Sequence, residues 1–115
     1  MRFFLILCLL ILTTACQKAR EQSHAKVSIE KLQVKTLQER LANAAKPFVV
    51  VNFFDSQCKS CEMELPSLAE LQKSESKEAE VVFISMDSTA EMRKKLPAFL
   101  AKQQIEKGVY EWEGK

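Results

Sequence analysis

A single histidine, His24, occurs in the 115 residues, and charge of one sign is nearly balanced out, leaving a formal charge of +2. The first scarcity argues against a four-ligand zinc site: apart from Cys8 and Cys16 in the N-terminal segment, the chain offers His24 and two cysteines, so zinc would require dimerisation. It also excludes c-type haem attachment, which needs histidine directly after the second cysteine of a C-x-x-C pair, where Glu62 stands. The second gives no basic surface for nucleic acid. Internal repeats and low-complexity tracts are missing as well, and the length suits one small domain rather than two. The longest apolar run, Phe3 to Leu12, is too short to cross a hydrocarbon layer of about 30 Å.

That run follows Arg2 and leads into small residues ending at Cys16, the layout of a secretory signal peptide over residues 1–15. The stretch "LTTAC" resembles the lipobox of bacterial lipoproteins, in which the cysteine carries lipid after cleavage. Thr13 stands where that box usually has an aliphatic residue, so plain secretion is the alternative. Lipid on Cys16 would attach the protein to a membrane, each buried methylene contributing about 0.8 kcal/mol. Gln17 is not the aspartate associated with inner-membrane retention, which favours an outer-membrane or general cell-surface address on the periplasmic side. Residues 16–35 then read as the lipid-bearing cysteine and a polar tether that includes His24.

With Cys8 removed and Cys16 capped, the exported domain keeps Cys58 and Cys61. Two thiols in an oxidising compartment form a disulfide unless something reduces them.

Residues 27–34 are open between a short edge strand and the start of a helix. Thr36 and Glu39 fit a capping box for a helix over about 37–45, ended by Pro47. "FVVVNFF", residues 48–54, predicts a strand covered on both faces in a parallel sheet. A helix over 59–72 follows, with Cys61, Leu65 and Leu68 on its apolar side and Glu62, Glu70 and Lys73 opposite. "VVFISMD", residues 81–87, predicts the next buried strand of a β-α-β unit. Ser88 and Glu91 form a capping box for a further helix that Pro97 should kink or divide. Val109, Tyr110 and Trp112 could begin one more strand.

Cys58 therefore falls in the first turn of a helix, where unpaired amides and the positive end of the dipole stabilise a thiolate. Lys59 adds charge in the same sense. Cys61, one turn further in, is placed to resolve a mixed disulfide. Glu64 has two readings: a carboxyl turned toward apolar surface near the sulfurs, able to exchange the proton of Cys61, or an exposed surface glutamate. Copper(I) held by the two thiolates is the best metal alternative to redox chemistry.

The segment "PFVVVNFFDSQCKSCEMELPSL" resembles the active-site region of the thioredoxin superfamily, above all its exported TlpA-like and ResA-like branch. By that resemblance, running from about residue 36 to 105, Cys58 is the nucleophile and Cys61 the resolving cysteine of a redox disulfide. Pro66 matches the proline that kinks the active-site helix, Glu64 a glutamate of the ResA-like members, and Asn52 the asparagine common in the TlpA-like branch. "VVFISMDS" resembles the next strand and its acidic turn. Gln57 departs from the usual tryptophan, and Lys59 with Ser60 from a pair that commonly contains proline.

The implied fold is α/β, thioredoxin-like and three-layered, in a domain over residues 36–115. It is expected to be incomplete at its C-terminal side, without the cis-proline loop, terminal hairpin and last helix. The implied function is reduction of disulfides in exported proteins, apocytochrome c among them, with electrons from a membrane donor protein and no cofactor or metal. A copper(I)-binding lipoprotein and an inert truncated domain are the rival outcomes.

Overall fold

The computed structural model describes residues 27–114. The expected signal peptide, Cys16 and His24 lie outside them. Four strands and three helices alternate along the described chain: β1 (Ile29–Leu32), α1 (Val34–Ala42), β2 (Phe48–Phe54), α2 (Lys59–Ser74), β3 (Ala79–Ser85), α3 (Ala90–Lys102) and β4 (Val109–Trp112). Every strand pair is parallel, and the sheet order is β1-β4-β3-β2.

β3 holds the centre because its sequence is apolar on both sides of the pleat. Its residues Val81, Val82, Phe83 and Ile84 are each at most 1% exposed. Full-length pairing with β2 runs from Phe48 opposite Ala79 to Phe54 opposite Ser85. On the other side Phe83 pairs with Val109, which in turn pairs with Ile29 of β1.

One face of the sheet carries the larger core, in which Phe54, Val81, Phe83 and Val109 pack with Leu65 and Ala69 of α2 and with Leu96 and Leu100 of α3. Each fully buried side chain of this kind contributes about 1.5–3 kcal/mol by leaving water. The opposite face buries Leu32, Val82, Ile84 and Tyr110. α1 covers it lightly: no residue of this helix is fully buried, Leu37 packs at its margin, and the Arg40 guanidinium lies 4.9 Å from the Tyr110 ring centre. Burial holds the Tyr110 hydroxyl above its ordinary ionisation range, against the opposing charge of Arg40. One helix on one face and two on the other make the three layers of a partial thioredoxin-like fold.

Several expectations change. Residues 29–35 are not tether: they form β1 and the first residues of α1, because Ile29 and Leu32 are needed to extend the sheet beside β4. The undecided stretch is thus an edge strand followed at once by a helix. α1 starts earlier than the Thr36 box implies, with extended Gln33 as its N-cap and no side-chain cap bond. β3 begins and ends two residues earlier than expected, and α3 is capped by Thr89, whose side chain accepts from the Met92 amide, rather than by Ser88. Pro97 and Pro66 lie inside α3 and α2 without dividing either. β2 is not covered on both sides. It is the end strand among the described residues, and Phe48 and Phe53 are 65% and 49% exposed.

The turn into β4 depends on one glycine. Gly108 has φ +72°, and a Cβ there would lie 2.7 Å from the Val81 carbonyl oxygen. The Gly108 carbonyl also accepts from the Phe83 amide at 2.8 Å, so the backbone has no room to withdraw. Gly108→Ala is expected to destabilise the domain by about 1–3 kcal/mol. A lowered urea midpoint with unchanged slope checks it; an unchanged midpoint shows that the turn can relax.

Candidate active site

β2 ends at Phe54, and the chain turns through residues 55–58 into α2. Three successive amides are held in that turn. The Ser56 amide donates to Asp87 Oδ1 at 2.9 Å, the Gln57 amide to Asp55 Oδ1 at 2.8 Å, and the Cys58 amide to the Asp55 carbonyl at 3.2 Å. Cys58 thereby becomes the N-cap of α2 with an extended backbone.

Its sulfur acts as the cap. Cys58 Sγ accepts from the Cys61 amide at 3.2 Å and lies 3.4 Å from Ser60 Oγ. A negative charge on that atom would face amides that no carbonyl inside the helix can satisfy. Cys58 and Cys61 are joined as a disulfide with S–S 2.10 Å and Cα–Cα 5.2 Å. Both are half-buried, and Cys61 packs against the larger core. The pair is thus asymmetric in surroundings, one sulfur at a helix tip and the other anchored to the packed interior.

The remaining expected site residues separate. Asn52 lies on the core-facing side of β2 between Val50 and Phe54, opposite Phe83; its Oδ1 is buried without a hydrogen-bond partner among the described residues. Pro66 sits one residue beyond buried Leu65, exposed, and its ring nitrogen cannot donate to the preceding turn. Glu64 is exposed, so its carboxylate is not turned into apolar surface beside the sulfurs. Of its two readings, the exposed one is the one the fold adopts, and the reason is rotation. Leu65, Ala69 and Gln72 are the buried line of α2, and Glu64 falls outside it.

The carboxylate that the fold does engage is Glu62. Lys102 at the end of α3 reaches Glu62 Oε1 at 2.6 Å, and Lys59 reaches Oε2 at 3.5 Å. The hydrogen bond from Lys102, then its charge and that of Lys59, hold the Glu62 carboxyl below the usual carboxylate range. Lys59, which was expected to favour the Cys58 thiolate, is therefore shared with a neighbouring anion. Because the folded value is depressed, this pairing supports the fold above the unfolded carboxylate range and is lost as pH falls through the folded value. Lys102→Met is expected to return the Glu62 titration toward about 4.3, read by carbonyl NMR; a midpoint that stays put would show that Lys102 is not the cause.

Asp87 was not singled out from the sequence beyond the acidic turn after β3. It is 2% exposed, and its Oδ1 accepts from both the amide and the hydroxyl of Ser56, at 2.9 and 3.1 Å. An aspartate just past a buried strand was the available signal, but nothing local showed what it would touch. Beside this corner lies a cleft of about 450 Å³ whose lining includes Ser56, Gln57, Met92, Lys95, Phe99 and Lys102. Among the described residues there is no group of three or more His, Cys, Asp or Glu able to hold a metal, and no helix long and apolar enough to cross a membrane.

A disulfide spanning the head of a helix that follows a parallel strand, in a sheet with helices on both faces, defines a thioredoxin-like thiol redox protein. The sequence comparison agrees: residues 20–109 match the AhpC/TSA family, and the chain belongs to it. Neither a curated protein nor a solved structure matches it.

Proposed function

We propose that the protein is an exported thiol-disulfide oxidoreductase that reduces disulfides in other extracytoplasmic proteins. The observation that carries this reading is the capping geometry of Cys58, whose sulfur already accepts the Cys61 amide at the positive end of α2. In the reduced protein Cys58 loses its proton and the thiolate attacks one sulfur of a substrate disulfide. A mixed disulfide forms and the other substrate sulfur leaves as a thiolate that takes up a proton. Cys61 then deprotonates and its thiolate attacks Cys58 Sγ, breaking the bond to the substrate sulfur, which leaves as a thiolate and takes up a proton while the internal disulfide closes. Two electrons pass from the dithiol to the substrate, and the two thiol protons end on the products.

Signal cleavage before Cys16 and lipid on that residue would place the domain at a membrane surface, reached through a polar tether. A membrane electron-donor protein would restore the dithiol, and exported proteins such as apocytochrome c are the substrate class. Glu64, exposed beside the helix head, would act as a surface group in contact with partners rather than as a proton carrier.

The test is alkylation of the reduced protein followed residue by residue, together with reduction of insulin disulfides. Cys58 is expected to react at neutral pH much faster than Cys61, with turnover of insulin. Equal rates at both thiols would overturn the proposal. Tight copper(I) binding with no turnover would replace it by the carrier function.

A further inference from the structure

Among the described residues, the turn that presents Cys58 is hydrogen-bonded to the sheet beyond it through one side chain. Of its three held amides, those of Gln57 and Cys58 bond to Asp55 within the turn itself. The Ser56 amide alone bonds outside it, to Asp87 at the end of β3, and the Ser56 hydroxyl bonds to the same oxygen. We propose that Asp87 is a positioning residue for Cys58: through Ser56 it fixes the turn that places the sulfur at the head of α2, and its charge restrains ionisation of that sulfur. The inference rests on the proposed role of Cys58 as the attacking thiol.

The second half of the proposal follows from the other carboxylate oxygen. Asp87 Oδ2 is buried and has no hydrogen-bond partner among the described residues. A residue needed only as an acceptor for Ser56 would be served by one oxygen, as asparagine provides. Burying a second, unpaired one is costly and calls for a reason. The charged groups around this corner and its cleft are Asp55 in the turn, Lys59 and Glu62 on α2, Glu91, Arg93, Lys95 and Lys102 on α3, and Glu111 on β4; Glu91 and Lys95 pair with each other at 2.6 Å. Lys59 and Lys102 are both engaged by Glu62. Arg93 pairs with Glu111 and donates to the backbone carbonyls of Asp87 and Ser88, not to the Asp87 carboxylate. Among the described residues no ion pair therefore cancels the negative charge of Asp87, and it opposes the thiolate that the helix terminus favours.

Asp87→Asn and Asp87→Ala separate the two parts, since both remove the charge and only asparagine keeps an acceptor for Ser56. The readout is the rate of Cys58 alkylation against pH in the reduced full-length protein, resolved by peptide mass spectrometry, with circular dichroism as the check on folding. One pH unit in the midpoint is tenfold in thiolate below it. Asp87→Asn is expected to move the midpoint to lower pH, giving alkylation roughly three- to tenfold faster on the acid side. Asp87→Ala is expected to react about threefold slower than Asp87→Asn there, because the freed turn no longer holds the sulfur against the amides. Should the alanine variant not fold, Ser56→Ala, which deletes the hydroxyl bond, is expected to be about twofold slower than the parent.

A parent and an Asp87→Asn profile that coincide overturn the charge effect and with it the proposal. So do coincident Asn and Ala profiles, or, where Asp87→Ala is unfolded, a Ser56→Ala profile equal to the parent. Insulin reduction is followed in parallel. Profiles that move as described without any insulin reduction leave the assignment of Asp87 standing and remove the proposed function instead.

Discussion

Cys61→Ser is expected to turn the reduced protein into a trap that captures substrate and does not release it. Cys58 still sits at the head of α2, so the first attack proceeds and a mixed disulfide forms. Its release in the parent protein depends on a thiol three residues away whose Cα lies 5.2 Å from that of Cys58. Such intramolecular groups act at effective concentrations of about 10⁵ M or more, far above any thiol in solution. Turnover of insulin disulfides should therefore fall by about 10³-fold or more, while non-reducing mass spectrometry shows one protein-substrate adduct per chain. Cys58→Ser should lose the same turnover and show no adduct. The contrast assigns the order of attack, because loss of activity alone would follow from damaging either cysteine. A Cys61→Ser protein that turns over like its parent, or a Cys58→Ser protein that accumulates the adduct, would reverse or remove the assignment.

The second large effect is on stability. Leu65 is one helical turn beyond Cys61, is 0% exposed, and belongs to the cluster that joins α2 to β3 and α3. Leu65→Ala removes its transfer free energy and leaves a cavity between rigid elements, at a cost of about 2–5 kcal/mol. Domains hold only about 5–15 kcal/mol in total, so this single change could consume much of the margin. Met63→Ala is the matched control, because Met63 is 81% exposed on the same helix and should change stability by no more than about 0.5 kcal/mol. Urea unfolding of the two variants measures the difference. If Leu65→Ala falls within that range as well, α2 does not pack on the sheet through this residue.

Residues 48–54 show where local sequence suffices. A run that is β-branched or aromatic at every position but Asn52 favours a strand, and β2 occupies the expected residues although one of its faces is left partly open. The start of α2 was legible for a similar reason, since the polar turn after β2 and the spacing of Leu65 and Leu68 leave little freedom in where the helix begins. Caps were less so. Ser88 and Thr89 are adjacent hydroxyls of equal competence, and the choice between them rests on the rotation that brings Leu96 and Leu100 into the core. Gln33 caps α1 because β1 delivers the chain to that point in extended form, a fact about the sheet rather than about residues 33–39. Glu64 was left open between two readings because adjacent positions on α2 differ by about 100° of rotation; the buried line passes through Leu65, Ala69 and Gln72, which leaves Glu64 exposed.

What the sequence determined by itself is the thiol pair and its place in the backbone: a strand signal, a turn, and two cysteines one helical turn apart, all set by interactions within a few residues. What tertiary structure decided is the company those sulfurs keep. Asp87 comes to Ser56 from the end of β3 and Lys102 to Glu62 from the end of α3, contacts between residues far apart in the chain. No periodicity records them, because they arise only when parallel strands align their ends and two helices close over the same face. The physical reason is range: backbone propensity acts over one turn, whereas the field at a sulfur is set by whatever charge the fold carries next to it.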